Sequence, residues 1–519
     1  MGIVNKVYSD FSGGEYGLLG GLHAPPNSFT GVNMQLYQNG ALGPRAGLKD
    51  LAPTGVPTGI LRGLGWCSYT AKQIWFCVGS TIYGFNDSGV GSAVFTYTGT
   101  LTAQPTYPLQ AAVDPAGTYI TNFADKSYLI NHTSVALTAL TGSPGGRAIC
   151  LQNNRMLIGG VGTGLNSGNR IRFSDLDNYN SWTSTNFVDI GDGWQIRAMY
   201  PQRTHILIAK EDGSWWVLYG DIATSPVVRK VYGTGSGSGD PNLAVSAPWA
   251  PTDAVMLENG HILFIPNGKD YPAQFSGAIT DHQRHLQWLS GAVTSIGGGD
   301  LPPSLAMRSL NYNDEVGVVS GIAGAGAANR CLLRHEKAWT YHTFETAIGG
   351  WMVMGGGDKP VIATPGSVGV APKFYAWHTY LNRPGVASGT LESTGDASNT
   401  APAASFTLPE WWGHQGEIAH VRSVFVDFLR YDPNNGQTNH FDLTVTALRQ
   451  YEGTSTTSSS LSFDEASSSG SDTGVLKRKI FQFGGQGRGN GFQLNFSNIR
   501  GIAIQKIVVE IEVSAEETG

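Results

Sequence analysis

From about residue 59 onward the apolar positions alternate with polar ones or fall in short continuous runs rich in β-branched and aromatic residues, each bounded by glycine-bearing breaks. This is the pattern of antiparallel strands. In Gln73-Ile-Trp-Phe-Cys-Val-Gly-Ser-Thr-Ile-Tyr-Gly-Phe85 the Gly79-Ser80 pair predicts a hairpin break. A second hairpin is predicted for His205-Ile-Leu-Ile-Ala-Lys and Ser214-Trp-Trp-Val-Leu-Tyr219, where Asp212-Gly213 supplies the positive φ angles of a tight turn. A third places Asn259-Gly260 between two apolar runs. No long segment keeps a 3.6-residue period, so helices are expected to be short and few.

The same unit returns along the chain: a strand, a turn, a second strand ending in an aromatic residue, then a glycine-rich link. Units centre on residues 61–85, 119–137, 148–182, 196–231, 254–275, 309–344 and 351–380. Their irregular spacing of roughly 35 to 60 residues brackets that of four-stranded propeller blades. The expected fold is all-β, an irregular β-propeller of six or seven blades followed by a C-terminal β-sandwich module; a pair of long β-sandwiches is the competing architecture. Composition breaks after Tyr380, where 382–405 is Gly, Ser, Thr, Ala and Pro, and longer strands follow at 421–431, 441–448, 491–496 and 505–513. The domains expected are an N-terminal arm (1–55) packing on the propeller, the propeller (56–385) and the sandwich (386–519). Within the last, the Ser/Thr-rich tract 454–471 has too few apolar residues to bury and is expected to be a mobile loop, as is the glycine run 233–239.

Composition narrows the function classes. With 519 residues the chain exceeds the roughly 250 to 300 at which single cores divide. Glycine, 70 residues or about 13%, is nearly twice the usual share, and charged residues at 14% are well below the usual quarter. The net charge is −6, which speaks against a strongly basic nucleic-acid binder. Cys67, Cys77, Cys150 and Cys331 are too scattered for a disulfide framework or a zinc site and are expected as buried thiols. No leader-like apolar region and no run of about 18 apolar residues occurs, so neither export nor membrane spanning is expected.

Tests for chemistry return mostly structural answers. There is no HExxH, GxSxG or Walker A pattern. The glycine-rich stretch 484–491 leads into an alternating strand, without the helix N-terminus that holds phosphate. His282 and His285 have helical metal-ligand spacing but no helix and no third ligand. Asp175, Asp177, Asp189 and Asp192 could pair for glycoside hydrolysis, but Asp175 to Trp182 approximates the Asp-box spacing of sialidases, a structural turn, with Tyr179 where glycine is usual. Structure is favoured over catalysis there. Lys477-Arg478-Lys479 either contacts an anionic partner or blunts a strand edge, the latter being favoured. The pairs Trp215-Trp216 and Trp411-Trp412 should each turn one ring outward, to a subunit interface or a sugar platform. No catalytic residue, metal ligand or cofactor is assigned.

The opening Ser9-Asp-Phe-Ser-Gly-Gly14, then Asn33-Met with Asn39-Gly40-Ala-Leu-Gly-Pro-Arg45-Ala-Gly47, resembles the N-terminal segment of tailed-bacteriophage virion proteins. The likeness continues through Arg170-Ile-Arg-Phe-Ser-Asp-Leu-Asp177 with Trp182, the 211–219 hairpin and 252–266, and closes on a strand-rich module. Together these look like the tail hub or nozzle proteins of short-tailed phages. The resemblance implies a non-enzymatic β-propeller subunit of a ring, commonly a hexamer. That ring would lie in the virion tail after assembly in the host cytoplasm, contacting adaptor proteins and fibres, with double-stranded DNA passing transiently through its channel. A low-charge chain agrees with loose passage, since each neutralised phosphate adds counterion-release affinity. A glycan-binding or glycan-cleaving tail protein, and a neck or stopper component, remain as alternatives.

Overall fold

In the computed structural model the chain is described over residues 2–377 and 404–515 with breaks, the longer ones at 16–27, 67–72, 162–167, 233–253, 265–272, 276–285, 289–307, 321–329, 344–350, 431–438, 468–475 and 484–489. Across 233–360 strand backbone is described, with side chains at Thr340 and His342. Six strands precede the first glycine-punctuated unit: β1 (Gly2–Tyr8), β2 (Gly14–Glu15), β3 (Ser28–Val32), β4 (Met34–Leu36), β5 (Leu42–Pro44) and β6 (Leu48–Asp50). Then come four-stranded antiparallel meanders: β7–β10 over residues 61–96, β11–β14 over 110–139, β15–β18 over 148–189, β19–β22 over 196–232, β23–β26 over 254–288 and β27–β30 over 308–343. A seventh four-stranded sheet, β31–β33 over 351–377, takes β6 as its fourth strand, Tyr375 pairing with Asp50 and Trp377 with Leu48.

Hairpin chemistry sets these units. Gly79 sits at φ 63° between the strands 73–78 and 81–86, as the spacing predicts. Between β15 and β16, Asn153 and Asn154 both adopt positive φ (48° and 56°), the geometry of a tight two-residue hairpin, and Gln152 pairs with Arg155. The turns at 212–213 and 259–260 lie outside the described residues.

The eight remaining strands are β34 (Ser405–Thr407), β35 (Trp411–Trp412), β36 (Glu417–Arg430), β37 (Asn439–Tyr451), β38 (Thr454–Ser467), β39 (Leu476–Gln482), β40 (Gly491–Arg500) and β41 (Ile502–Ala515). With the first five they build two larger sheets. One has six strands in the order β39-β36-β41-β5-β4, with β1 also on β41; the other has seven in the order β2-β3-β34-β40-β37-β38, with β35 also on β40. A single core fills the space between them, contributed by Tyr8, Val424, Val426, Phe481, Ile507, Val509 and Ile511 from one sheet and by Phe29, Phe406, Leu443, Val445, Leu494 and Phe496 from the other.

Two expectations are corrected. The β-propeller of six or seven blades followed by a β-sandwich is replaced by an all-β fold of several small antiparallel sheets; among the described residues no sheet is closed into a barrel or propeller or curled. Hairpin spacing dictates which sequence neighbours pair, but closure depends on contacts between sheets that no local pattern encodes. Within the segment 1–55, β1–β5 pair in the two larger sheets, β6 completes the seventh meander, and β2, β3 and β4 lie against β30 of the sixth. The tract 454–471 is not a loop over most of its length, because β38 spans Thr454–Ser467. Its hydroxyls replace burial with a cross-strand ladder, Thr444 Oγ1 to Ser462 Oγ at 2.9 Å and Thr446 Oγ1 to Ser460 Oγ at 2.8 Å. The glycine run 233–239 lies outside the described residues.

Phe406 joins the two termini: its ring stacks on Phe496 at 4.6 Å and meets the edges of Phe11 and Phe29 at 6.2 Å each. Phe406→Ala is expected to lower stability by about 3 to 5 kcal/mol. Urea unfolding followed by tryptophan fluorescence measures this, and a loss under about 1 kcal/mol would show that the ring cluster does not hold the sheets together.

Candidate functional site

The Asp175 turn is the first place where sequence suggested chemistry. Asp175 follows β17 (Arg170–Phe173), and its carboxylate accepts from Ser181 Oγ at 2.5 Å, Asn186 Nδ2 at 2.6 Å and Thr183 Oγ1 at 3.1 Å. These hydrogen bonds, with Arg155 nearby, hold its pKa below the ordinary carboxylate range. Asp177 takes φ 55° and its N–H donates to Asn154 O at 2.9 Å, fastening the turn to the β15–β16 hairpin. Trp182 Nε1 donates to Tyr179 O at 2.8 Å. Tyr179 meets Tyr119 edge-on at 5.1 Å, the contact that the usual glycine could not make. Asp189 pairs with Arg170 through two bonds of 2.6 and 2.9 Å, while the Arg170 guanidinium lies 3.9 Å from the Phe187 ring centroid. So Asp175 and Asp189 are engaged in separate local networks; Asp192 is outside the described residues.

The other sequence-marked residues scatter. Asn33 is buried at φ 58° in the corner between β3 and β4, a conformation Asn tolerates better than other non-glycine residues. Gly40 also has positive φ, at 74°. Asn39, Arg45, Gly47, Asp212, Gly213, His282 and His285 lie outside the described residues. Trp215 is buried, whereas Trp216 is half-buried with the Lys210 and Lys230 ammonium groups 5.2 and 5.6 Å from its ring. Trp411 packs inward, stacked on Phe492 at 5.3 Å. The side chain of Trp412 is not among those described.

Lys477, Arg478 and Lys479 lie on β39, an outermost strand of the six-stranded sheet. Arg478 grips Asp427 on β36 with two bonds of 2.5 and 2.8 Å. The guanidinium, helped by Lys506, holds the Asp427 pKa below the usual range. On the opposite side, β1 exposes Ile3, Val4 and Val7. Sequence reasoning missed this surface, because strand alternation between 2 and 8 says nothing about which strand lies alongside.

Two buried polar clusters were also not read from sequence. Lys210 is fully buried, and its Nζ donates to Ile190 O at 2.6 Å. Buried Arg147 binds Glu211 and Gln195, joining the β15 and β19 meanders. Among the described residues no group of three or more His, Cys, Asp or Glu is placed to hold a metal ion, and no helix is long and apolar enough to cross a membrane. Cys77 and Cys150 are buried free thiols, each pushed up to about 12 by burial; Cys67 and the Cys331 side chain lie outside the described residues.

No family model and no curated protein matches the chain. Among solved structures it is similar to the computationally designed Ika8 protein, at 11% identity over 63% of this chain and 99% of that one with a TM-score of 0.37. It is similar to virginiamycin B lyase from Staphylococcus aureus at 11% identity, 64% and 99% coverage and a TM-score of 0.41. YCF48 bound to D1 peptide stands at 12% identity, 62% and 95% coverage and 0.37. Likenesses this slight carry no argument about fold or activity.

His132 links the first two meanders, with Tyr97 Oη and Thr118 Oγ1 each 2.9 Å from a ring nitrogen. Burial lowers its pKa to about 4 from the usual 6.5. The unfolded chain therefore binds a proton first. The stability contributed by neutral His132 is complete above about pH 6.5 and is lost as pH falls towards about 4. Urea midpoints between pH 4 and 7 should decline with acid, and His132→Gln should flatten that decline; an unchanged slope in the variant would refute the assignment.

Proposed function

We propose that this chain is a structural, non-enzymatic subunit of a tailed-bacteriophage virion. In this reading it is a component of a ring in the tail, at its nozzle or hub, through which double-stranded DNA passes and on which neighbouring tail proteins or fibres seat. It assembles with copies of itself, a hexamer being the expected ring, in the host cytoplasm, and works in the virion.

The observation that carries the reading is the position of the N-terminal segment that resembles such proteins. Phe11, within the Ser9 to Gly14 motif, is buried in the core shared by the two larger sheets, and Asn33 forms the buried corner beside it. Phe11 and Asn33 are thus residues the fold buries, which supports reading the resemblance as one of architecture. Two further features are consistent with it. The carboxylate that most resembled a catalytic group, Asp175, is occupied by three side-chain donors that build a turn. A net charge of −6 with only 14% charged residues provides little counterion-release affinity for passing DNA.

The test is position. Electron microscopy of phage particles carrying a label at the C-terminus of this chain is expected to show density distributed around the tail axis. Label at the capsid or out along the fibres would overturn the reading, and label at the head–tail junction would transfer the chain to the neck.

A further inference from the structure

Among the described residues the six-stranded sheet has β39, β4 and β1 at its edges, and β1 and β39 are equal in length. β1 pairs with β41 alone and β39 with β36 alone, each over seven residues without a bulge. Registers cross the sheet directly: Val7 lies opposite Val508, Val508 opposite Phe425 and Phe425 opposite Ile480. Val7 and Ile480 therefore stand on one face, the face turned away from the core, and Ile3 and Leu476 share it by the two-residue period of each strand. All four are strongly exposed, Ile3 at 55%, Val7 at 49%, Leu476 at 56% and Ile480 at 46%.

We infer that a second copy of this chain docks here by strand addition, β39 of one copy pairing antiparallel with β1 of the next so that the sheet continues from subunit to subunit. Two observations select this occupant. The two exposed apolar residues on each edge are spaced four apart, so one antiparallel register, Ile3 against Ile480 and Val7 against Leu476, covers both pairs at once. Strand direction alternates across β39, β36, β41 and β1, so a neighbour held in the same sense presents β39 antiparallel to β1. Such a contact is head-to-tail, uses two different patches, and closes into a ring when the rotation between copies allows. In that register Asn5 faces Arg478, already bound to Asp427, and Val4 faces Lys479. Lys6 faces Lys477, and this like-charge pair opposes association. Lys6 Nζ lies 5.6 Å from the Tyr8 ring centroid, on the other face from Val7.

The inference stands on the two edges and does not require the virion reading, which is tested separately by position in the particle. It predicts a distinctive response in solution. Sedimentation velocity of the full chain should show concentration-dependent association that tightens as salt screens Lys6 from Lys477 and tightens about tenfold with Lys6→Glu. Val7→Lys and Ile480→Lys should each weaken association by at least about tenfold. An equimolar mixture of those two variants should form a dimer that grows no further, because one copy keeps an intact β39 and the other an intact β1. Circular dichroism matching the wild type confirms that the variants fold. Monomer throughout with Lys6→Glu included, association unaffected by either edge variant, sensitivity to Val7→Lys but not Ile480→Lys, or no dimer in the mixture would each overturn it.

Discussion

The contact on which most of the structure depends is the aromatic cluster where the chain's two ends meet. Phe11, Phe29 and Phe406 meet edge to face at 6.2 to 6.4 Å, and Phe406 stacks on Phe496. Edge-to-face geometry sets the electropositive ring edge against the electronegative face, so these rings contribute beyond their buried area. Their sequence separation, from Phe11 to Phe496, closes nearly the whole chain, and every meander lies inside that closure. The last meander is tied to the same end, since it takes β6 as its outermost strand and packs Val361, Ala363, Phe374 and Ala376 against Leu61, Ile74 and Phe76 of the first.

Polar groups divide by position in a way that bears on function. Inside, Lys210, Arg147 and His132 bind named partners and act as pins between strands and meanders. In turns, Asp175 organises backbone through side-chain donors. On the outer face and edge of the six-stranded sheet exposed apolar residues and charge stand together, with the Asp427–Arg478 pair beside Ile480 and Leu476. An apolar strip with a charged border has the anatomy of an interface core and rim.

Some of this was legible in the residues. Gly79 announced its hairpin, the 205–219 pair of runs became adjacent strands, and the spacing of Asp175 to Trp182 marked a turn. The basic triplet read as an edge device lies on an edge strand, with Arg478 neutralised by a neighbour. Other features were hidden. Asn153-Asn154 was not recognised as a hairpin corner. The Ser/Thr tract has too few apolar residues for burial to order it; hydroxyl-to-hydroxyl bonds across β37 and β38 reward the ordering instead.

By itself the sequence determined an all-β chain and some of its local hairpins. These follow from steric preferences and a two-residue period that operate within a few positions. Only the tertiary structure decided that the first fifty residues are shared among three sheets and that β1 and β39 lie at edges of the same sheet with matching apolar pairs. Strand pairing at long range is selected by the summed packing of two faces, a quantity distributed over both ends of the chain and present in no single segment.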